Sequence, residues 1–228
     1  MPVRINSPRH CTYWASGSAF SGCNKLSLIV SPNNPQFIQI DGILYNADCT
    51  QIVYVPESVT TICIPKTVTD FCFRGNTNIC SVSFEHGSIL LGIPDGAFEG
   101  CSALRSITIP ENVTHIGSRA FYYCKRLTSI TIPDSMISIG GYAFYGCTGL
   151  TSVTFSESGQ LTSIGSNAFL GCSSLTNIII PDCVTSIGNS AFSGCTSLKS
   201  ITIPDSVTNI EAGAFSGCTK LESITIPN

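Results

Sequence analysis

The apolar positions of this 228-residue chain recur with a fixed period, marked by Phe98, Phe121, Phe144, Phe169, Phe192 and Phe215 at spacings of 23 residues with one interval of 25. Each Phe follows an Ala and precedes, three residues on, Cys101, Cys124, Cys147, Cys172, Cys195 or Cys218. The pattern then reads Leu, two residues, Ile or Val, one residue and another apolar residue, as in Leu198-Lys199-Ser200-Ile201-Thr202-Ile203. After a Pro comes a second apolar pair, as in Val207-Thr208-Asn209-Ile210. Period-two alternation in the first segment predicts a short strand. A unit of this size cannot bury both apolar rows alone, so neighbouring units must stack and share a core. Equivalent strands then pair at about 4.8 Å into a parallel sheet on one face. The return path is expected to be irregular or briefly helical, with Phe filling the interior and Gly140, Gly165 and Gly188 permitting a turn.

The pattern extends backwards in weaker form. Cys72-Phe73-Arg74-Gly75-Asn76 stands where Ala-Phe-x-Gly-Cys is expected, and Ala19-Phe20-Ser21-Gly22-Cys23 is the earliest copy. Between them, Phe37-Ile38-Gln39-Ile40, Asp41-Gly42 and Ile43-Leu44-Tyr45 read as a tight hairpin, because Asp-Gly between apolar runs favours a primed turn. It is expected to protrude from the stack. Two stretches, Phe84 to Phe98 and Phe155 to Phe169, carry two extra residues and are expected to bulge.

These residues resemble the leucine-rich repeat, and more closely the BspA-like subclass of bacterial and protozoan surface proteins, whose units carry Ile-Pro-x-x-Val-x-x-Ile-Gly-x-x-Ala-Phe. The resemblance implies a mainly β repeat solenoid, a right-handed superhelix of about 23-residue units. It divides the chain into an N-terminal flank at 1–18 and a repeat domain at 19–228, with the hairpin inserted at about 36–55. It also implies a cell-surface or secreted protein that mediates adhesion or protein–protein interaction, with host or cell-surface proteins as partners.

Composition narrows the chemistry. Eleven basic against fourteen acidic residues give a net charge of −3, and 11% of residues are charged, which excludes a polybasic nucleic-acid binder. No apolar run approaches the roughly 20 residues of a spanning helix, so no membrane insertion is expected. The cysteine column keeps the period of the coil and contains no Cys-x-x-Cys pair, so Asn76, Cys101, Cys124, Cys147, Cys172, Cys195 and Cys218 are read as an internal ladder rather than a metal or redox site. Cys11, Cys49, Cys63, Cys72, Cys80 and Cys183 lie outside it, and any disulfide among them is unassigned. His10, His86 and His115 occupy unrelated positions, and no phosphate-binding glycine loop is present, so neither an enzyme nor a cofactor or metal site is expected.

Two surfaces emerge as candidates for partner binding. Strand positions outside the apolar register face solvent and include Arg105, Thr108, Thr128, Thr131, Thr151 and Thr154, a hydroxyl-rich face suited to protein contacts, to a glycan or to ice. The second is confined to two neighbouring coils: Arg119, Tyr122, Tyr123, Lys125, Arg126, Tyr142 and Tyr145. Tyr and Arg are enriched at interface hot spots. The last residues, Ile224-Thr225-Ile226-Pro227-Asn228, stop in mid-unit, which predicts either a longer protein or self-association through an uncapped edge. No secretory leader is recognisable at the N-terminus, so an intracellular scaffold is the alternative reading. The sequon Asn112-Val113-Thr114 bears weakly on the choice.

Overall fold

The computed structural model describes residues 29–31, 33–156 and 159–225. The flank at 1–18 and the copy beginning at Ala19 lie outside the described residues. The rest is a β-solenoid of about seven turns, with no helix among the described residues.

Each coil contributes two short strands. The main face holds β4 (Thr61–Ile64), β5 (Ser81–Phe84), β7 (Ser106–Ile107), β9 (Ser129–Ile132), β11 (Ser152–Phe155), β13 (Asn177–Ile179), β15 (Ser200–Thr202) and β17 (Ser223–Thr225). They run parallel in three segments, β4-β5-β7, β9-β11 and β13-β15-β17. The second apolar pair of each unit builds its own ladder: β6 (Gly92–Ile93), β8 (His115–Ile116), β10 (Ser138–Ile139), β12 (Ser163–Ile164), β14 (Ser186–Ile187) and β16 (Asn209–Ile210) form one continuous parallel sheet. Parallel pairing is therefore not confined to one face, and the return path is a narrow second sheet followed by tight turns instead of a helix.

The glycines after this ladder serve a purpose other than turning. Gly117, Gly140, Gly165 and Gly188 extend the pairing, each N–H donating to the preceding coil, as in Gly165 to the Ile139 carbonyl at 3.1 Å. A Cβ at Gly165 would stand 2.6 Å from that same oxygen. Close approach of backbones, not a left-handed φ, demands glycine there.

A file of aromatic rings runs through the interior. Phe98, Phe121, Phe144, Phe169, Phe192 and Phe215 stack with centroids 5.2, 5.1, 5.0, 5.3 and 5.7 Å apart and planes within 8° of parallel. Alongside them the Phe N–H of one coil donates to the Ala carbonyl of the next, from Phe73 to Ala97 at 2.6 Å through Phe192 to Ala214 at 2.8 Å. Offset aromatic stacking and a hydrogen-bonded turn thus reinforce one register.

The inserted segment departs from expectation. β1 (Phe37–Ile40) and β2 (Ile43–Asn46) pair antiparallel around Asp41 and Gly42, both at positive φ, as a type I′ turn requires. A third strand, β3 (Ile52–Tyr54), joins them. The sheet does not protrude, because Ile43, Tyr45 and Ile52 belong to the same buried core as Ile62, Val68 and Phe71. Its backbone also joins the first coil, with Ile52 N–H donating to the Asp70 carbonyl at 3.1 Å.

Truncating Phe144 to Ala should destabilise the chain by about 3–5 kcal/mol, since neighbours stacked on both sides cannot collapse into the gap. Gly165→Ala should cost about 1–3 kcal/mol by overpacking. Urea denaturation of both variants checks these values, and a neutral Gly165→Ala would contradict the close-approach account.

Candidate functional site

Comparison of the turn segments isolates one coil. Residues 119–126 read Arg-Ala-Phe-Tyr-Tyr-Cys-Lys-Arg, where other coils read Asn-Ala-Phe-Leu-Gly-Cys-Ser-Ser or Ser-Ala-Phe-Ser-Gly-Cys-Thr-Ser. The conserved-in-register Ala, Phe and Cys point inward and are fully buried at Ala120, Phe121 and Cys124. The remaining positions here carry large aromatic and cationic side chains, and the next coil adds Tyr142 and Tyr145; in the other coils they are mostly small or polar, apart from Glu99, Leu170 and Lys220.

Those side chains meet. Tyr122 stacks on Tyr145 of the next coil at 4.7 Å with planes 12° apart, and Tyr123 sets its ring edge-on to both, at 4.6 and 5.3 Å. Tyr142 joins Tyr145 at 5.9 Å. The Arg119 guanidinium lies 5.5 Å from the Tyr122 centroid and 5.6 Å from that of Tyr142, and the Lys125 ammonium lies 5.5 Å from Tyr123. These are cation–π distances. A hydrogen bond with Tyr123, together with the charge of that neighbouring phenol, pushes the Tyr145 phenol above its ordinary value. Arg126 is exposed beside Lys125 and is not among the ring contacts of the described residues.

Three of these residues occupy backbone positions that suit glycine. The column Gly75, Gly100, Gly146, Gly171, Gly194 and Gly217 has positive φ throughout, and Tyr123 takes its place in that column at φ 56°. A second left-handed column runs Gly96, Arg119, Tyr142, Asn167, Ser190 and Gly213, with Arg119 at 55° and Tyr142 at 59°. A bulky side chain in the left-handed region costs about 1–2 kcal/mol, and such strain concentrates at functional sites. Gly146 is the complement of this arrangement, because a Cβ there would run into the Tyr123 ring.

The sheet-face candidates lie on separate strands of the coil. Arg105, Thr108, Thr128, Thr131, Thr151 and Thr154 are all exposed, and register places Thr131 beside Thr154. Part of the flanking column is turned to structural use: the Thr151 hydroxyl donates to the Thr128 carbonyl at 2.9 Å, and that of Thr128 to the Arg105 carbonyl at 3.4 Å. The middle column is interrupted by Ile179, which is 76% exposed. Among the described residues, no ring contact or hydrogen bond joins these columns to the tyrosine cluster.

The cysteines form a hydrogen-bonded file. Cys101 Sγ donates to the Phe73 carbonyl at 3.0 Å, Cys124 to Phe98 and Cys147 to Phe121 at 3.1 Å, Cys172 to Phe144 at 3.2 Å, Cys195 to Phe169 at 3.3 Å and Cys218 to Phe192 at 3.2 Å. Asn76, in the equivalent place, accepts from the Asn78 and Ile79 N–H groups, both at 2.9 Å. Burial pushes the Cys101 and Cys195 thiols up to about 12 and those of Cys124, Cys147 and Cys172 well above the ordinary range. A thiol so held is a poor nucleophile. Cys72 is disulfide-bonded, whereas Cys49, Cys63, Cys80 and Cys183 are free. Among the described residues, no group of three or more His, Cys, Asp or Glu side chains is placed to hold a metal ion. No described helix is long and apolar enough to cross a membrane. The sequon residue Asn112 turns its amide to the Leu90 carbonyl at 2.8 Å.

One feature escaped the sequence reading. Pairing of β5 with β7 stops after Val82 and Ile107, and beyond that point the coils part around a cleft of about 820 Å³ lined by Phe84, Glu85, His86, Ile89, Leu91 and Glu111 among others. The two extra residues after Phe84 were its signal.

A profile of the BspA type leucine rich repeat region matches the chain in six copies, over residues 4–128, 66–195 and 114–228. The chain belongs to the BspA-type leucine-rich repeat family. Among solved structures it is similar to a leucine rich repeat protein of T. pallidum, at 26% identity and a TM-score of 0.59 over 86% of this chain and 81% of that one. It is likewise similar to a leucine-rich repeat protein from Eubacterium ventriosum, at 26% identity and a TM-score of 0.58, covering 87% of this chain and 52% of that one. This chain therefore spans about half of the latter. No curated protein matches it. Leucine-rich repeat proteins are in general protein-binding scaffolds, and this BspA-type chain has the architecture suited to that role.

Two outcomes follow. A thiol whose folded pKa is raised stabilises the fold fully below its unfolded value and loses that contribution as pH rises towards the folded value. Stability should thus fall between about pH 9 and about 12, as the thiols of the unfolded chain ionise while the buried Cys101 and Cys195 thiols do not. Urea denaturation at successive pH values should show a shallower decline for a Cys101→Ala/Cys195→Ala variant. Separately, Arg119→Asn should leave stability unchanged or raise it by about 1 kcal/mol, since Asn tolerates the left-handed backbone; a large loss in the melting temperature would contradict the strain assignment.

Proposed function

We propose that this chain is a non-enzymatic protein-binding module, acting at the cell surface in adhesion or protein–protein interaction, and that its contact surface is the cluster of Arg119, Tyr122, Tyr123, Lys125, Arg126, Tyr142 and Tyr145. The observation that carries this reading is that two neighbouring coils place large side chains, Arg119, Tyr123 and Tyr142, at positions where the backbone disfavours them. Nothing in the stacking of coils requires those rings, since the coils at 167–174 and 190–197 stack with Asn, Leu, Ser, Gly and Thr in the same places. Tyrosine supplies rigid amphipathic contact area, and arginine directional donors, the combination typical of interface anchors. Family membership supports the protein-binding part of the reading, and the surface location rests on resemblance to BspA-like surface proteins.

An intracellular scaffold is the second reading; the ten free thiols among the described residues favour it and the disulfide at Cys72 opposes it. The Thr columns give a third, a lattice for glycan or ice, which Ile179 interrupts. Replacing Thr131 and Thr154 with Tyr should abolish lattice binding and leave protein capture at the tyrosine cluster intact.

Photo-crosslinking separates the surfaces. A benzophenone side chain placed at Tyr145 should yield adducts with a partner protein on intact target cells, and one at Thr154 should not. Adducts from Thr154 alone would move the contact to the sheet face. Labelling of intact source cells with a membrane-impermeant reagent should modify the chain; a chain shielded until lysis would favour the intracellular scaffold.

A further inference from the structure

We propose that the tyrosine cluster docks an acidic peptide segment of its partner, with side-chain carboxylates received by Arg119, Lys125 and Arg126. This rests on the reading of the cluster as the contact surface and specifies what it accepts. Residues 119–126 carry three cations and no acid, in a chain whose net charge is −3. The neighbouring acid is already engaged: Glu99, which stands in register with Tyr122, is paired with Arg74 at 3.0 Å. Among the described residues no carboxylate forms an ion pair with Arg119, Lys125 or Arg126.

The unpaired cations favour a carboxylate-bearing peptide over a neutral sugar. The Tyr122 ring is flanked by Tyr145 and Arg119, while Arg119 lies over one face of Tyr142 and Lys125 over one face of Tyr123, two residues that stay 37% and 40% exposed. Beside these partly open rings the cluster presents to solvent its cationic side chains and phenolic hydroxyls. All of these can donate to a carboxylate, and guanidinium groups can do so bidentately. The cation–π contacts fix Arg119 between two rings, so less freedom is lost when it binds. The left-handed backbone of Arg119, Tyr123 and Tyr142 sets the direction in which those three side chains leave the coil.

The test is fluorescence anisotropy of a labelled ten-residue poly-glutamate peptide on the full chain, with poly-glutamine of equal length and heparin as comparators, at about 50 mM salt where exposed charges are weakly screened. Poly-glutamate should bind saturably, poly-glutamine should not, and raising the salt should weaken the complex. An Arg119→Asn/Lys125→Thr/Arg126→Ser variant, built from residues that other coils carry, should bind at least tenfold more weakly while its melting temperature does not fall. Removing two cations elsewhere, with Lys199→Thr and Lys220→Ser, should leave binding within twofold. The proposal is overturned if poly-glutamate binds no better than poly-glutamine, if the triple variant keeps its affinity, if the Lys199/Lys220 variant loses as much, or if heparin alone binds through the cluster. Should poly-glutamate fail while crosslinking from Tyr145 persists, the acidic specificity falls and the contact surface stands.

Discussion

Every side chain in the interior of this molecule must pack against its own copy in the next coil, about 5 Å away, and the file of phenylalanines shows what that constraint selects. A flat ring can repeat along an axis indefinitely if successive planes stay parallel, and here they do so within 8° from Phe98 to Phe215. The ring file fixes the spacing of the turns, which lets each Phe N–H reach the next Ala carbonyl. With the turns in register, the cysteine thiols meet the preceding Phe carbonyls and the glycines after the second ladder lie against the preceding backbone. Helix would not serve in the return path: it rises too bulkily for coils this close, and two-residue strands take its place.

Periodicity made most of this legible. The Phe and Cys columns announce the interior directly, because a position that repeats faces the same way in every coil. What the sequence concealed follows from how a short pattern can be satisfied twice. Val-x-x-Ile is too brief to advertise a strand, yet identical pairs stacked coil upon coil are enough for a second ladder. Glycine has two uses, and the letters do not separate the close approach at Gly165 from the left-handed turn at Gly146. The hairpin was recognisable from Asp41-Gly42, but its burial depended on Ile43, Tyr45 and Ile52 finding the open end of the core, a long-range contact with no local signature.

The tyrosine cluster was legible as a composition anomaly and acquires its physical meaning only with the backbone. In the sequence Tyr123 is one more aromatic residue; in the fold it is the residue that replaces glycine at a left-handed position and rests over Gly146. The regular coils define what the scaffold needs, so a coil that departs from them while keeping Ala120, Phe121 and Cys124 separates the demands of stacking from those of recognition. The cleft at Phe84 and Glu85 is a departure of another kind, an irregularity of chain length that parts two strands.

The central claim is that the inward residues of each coil carry the fold and the outward residues of two neighbouring coils, chiefly those of 119–126, carry the binding. The direct measurement is a replacement of residues 119–126 by the sequence of residues 190–197, followed by melting temperature and photo-crosslinking from position 145 on the same preparation. The account predicts a melting temperature equal to or above that of the parent and loss of the partner adduct. A substantially lower melting temperature, or an adduct retained in full, would contradict it.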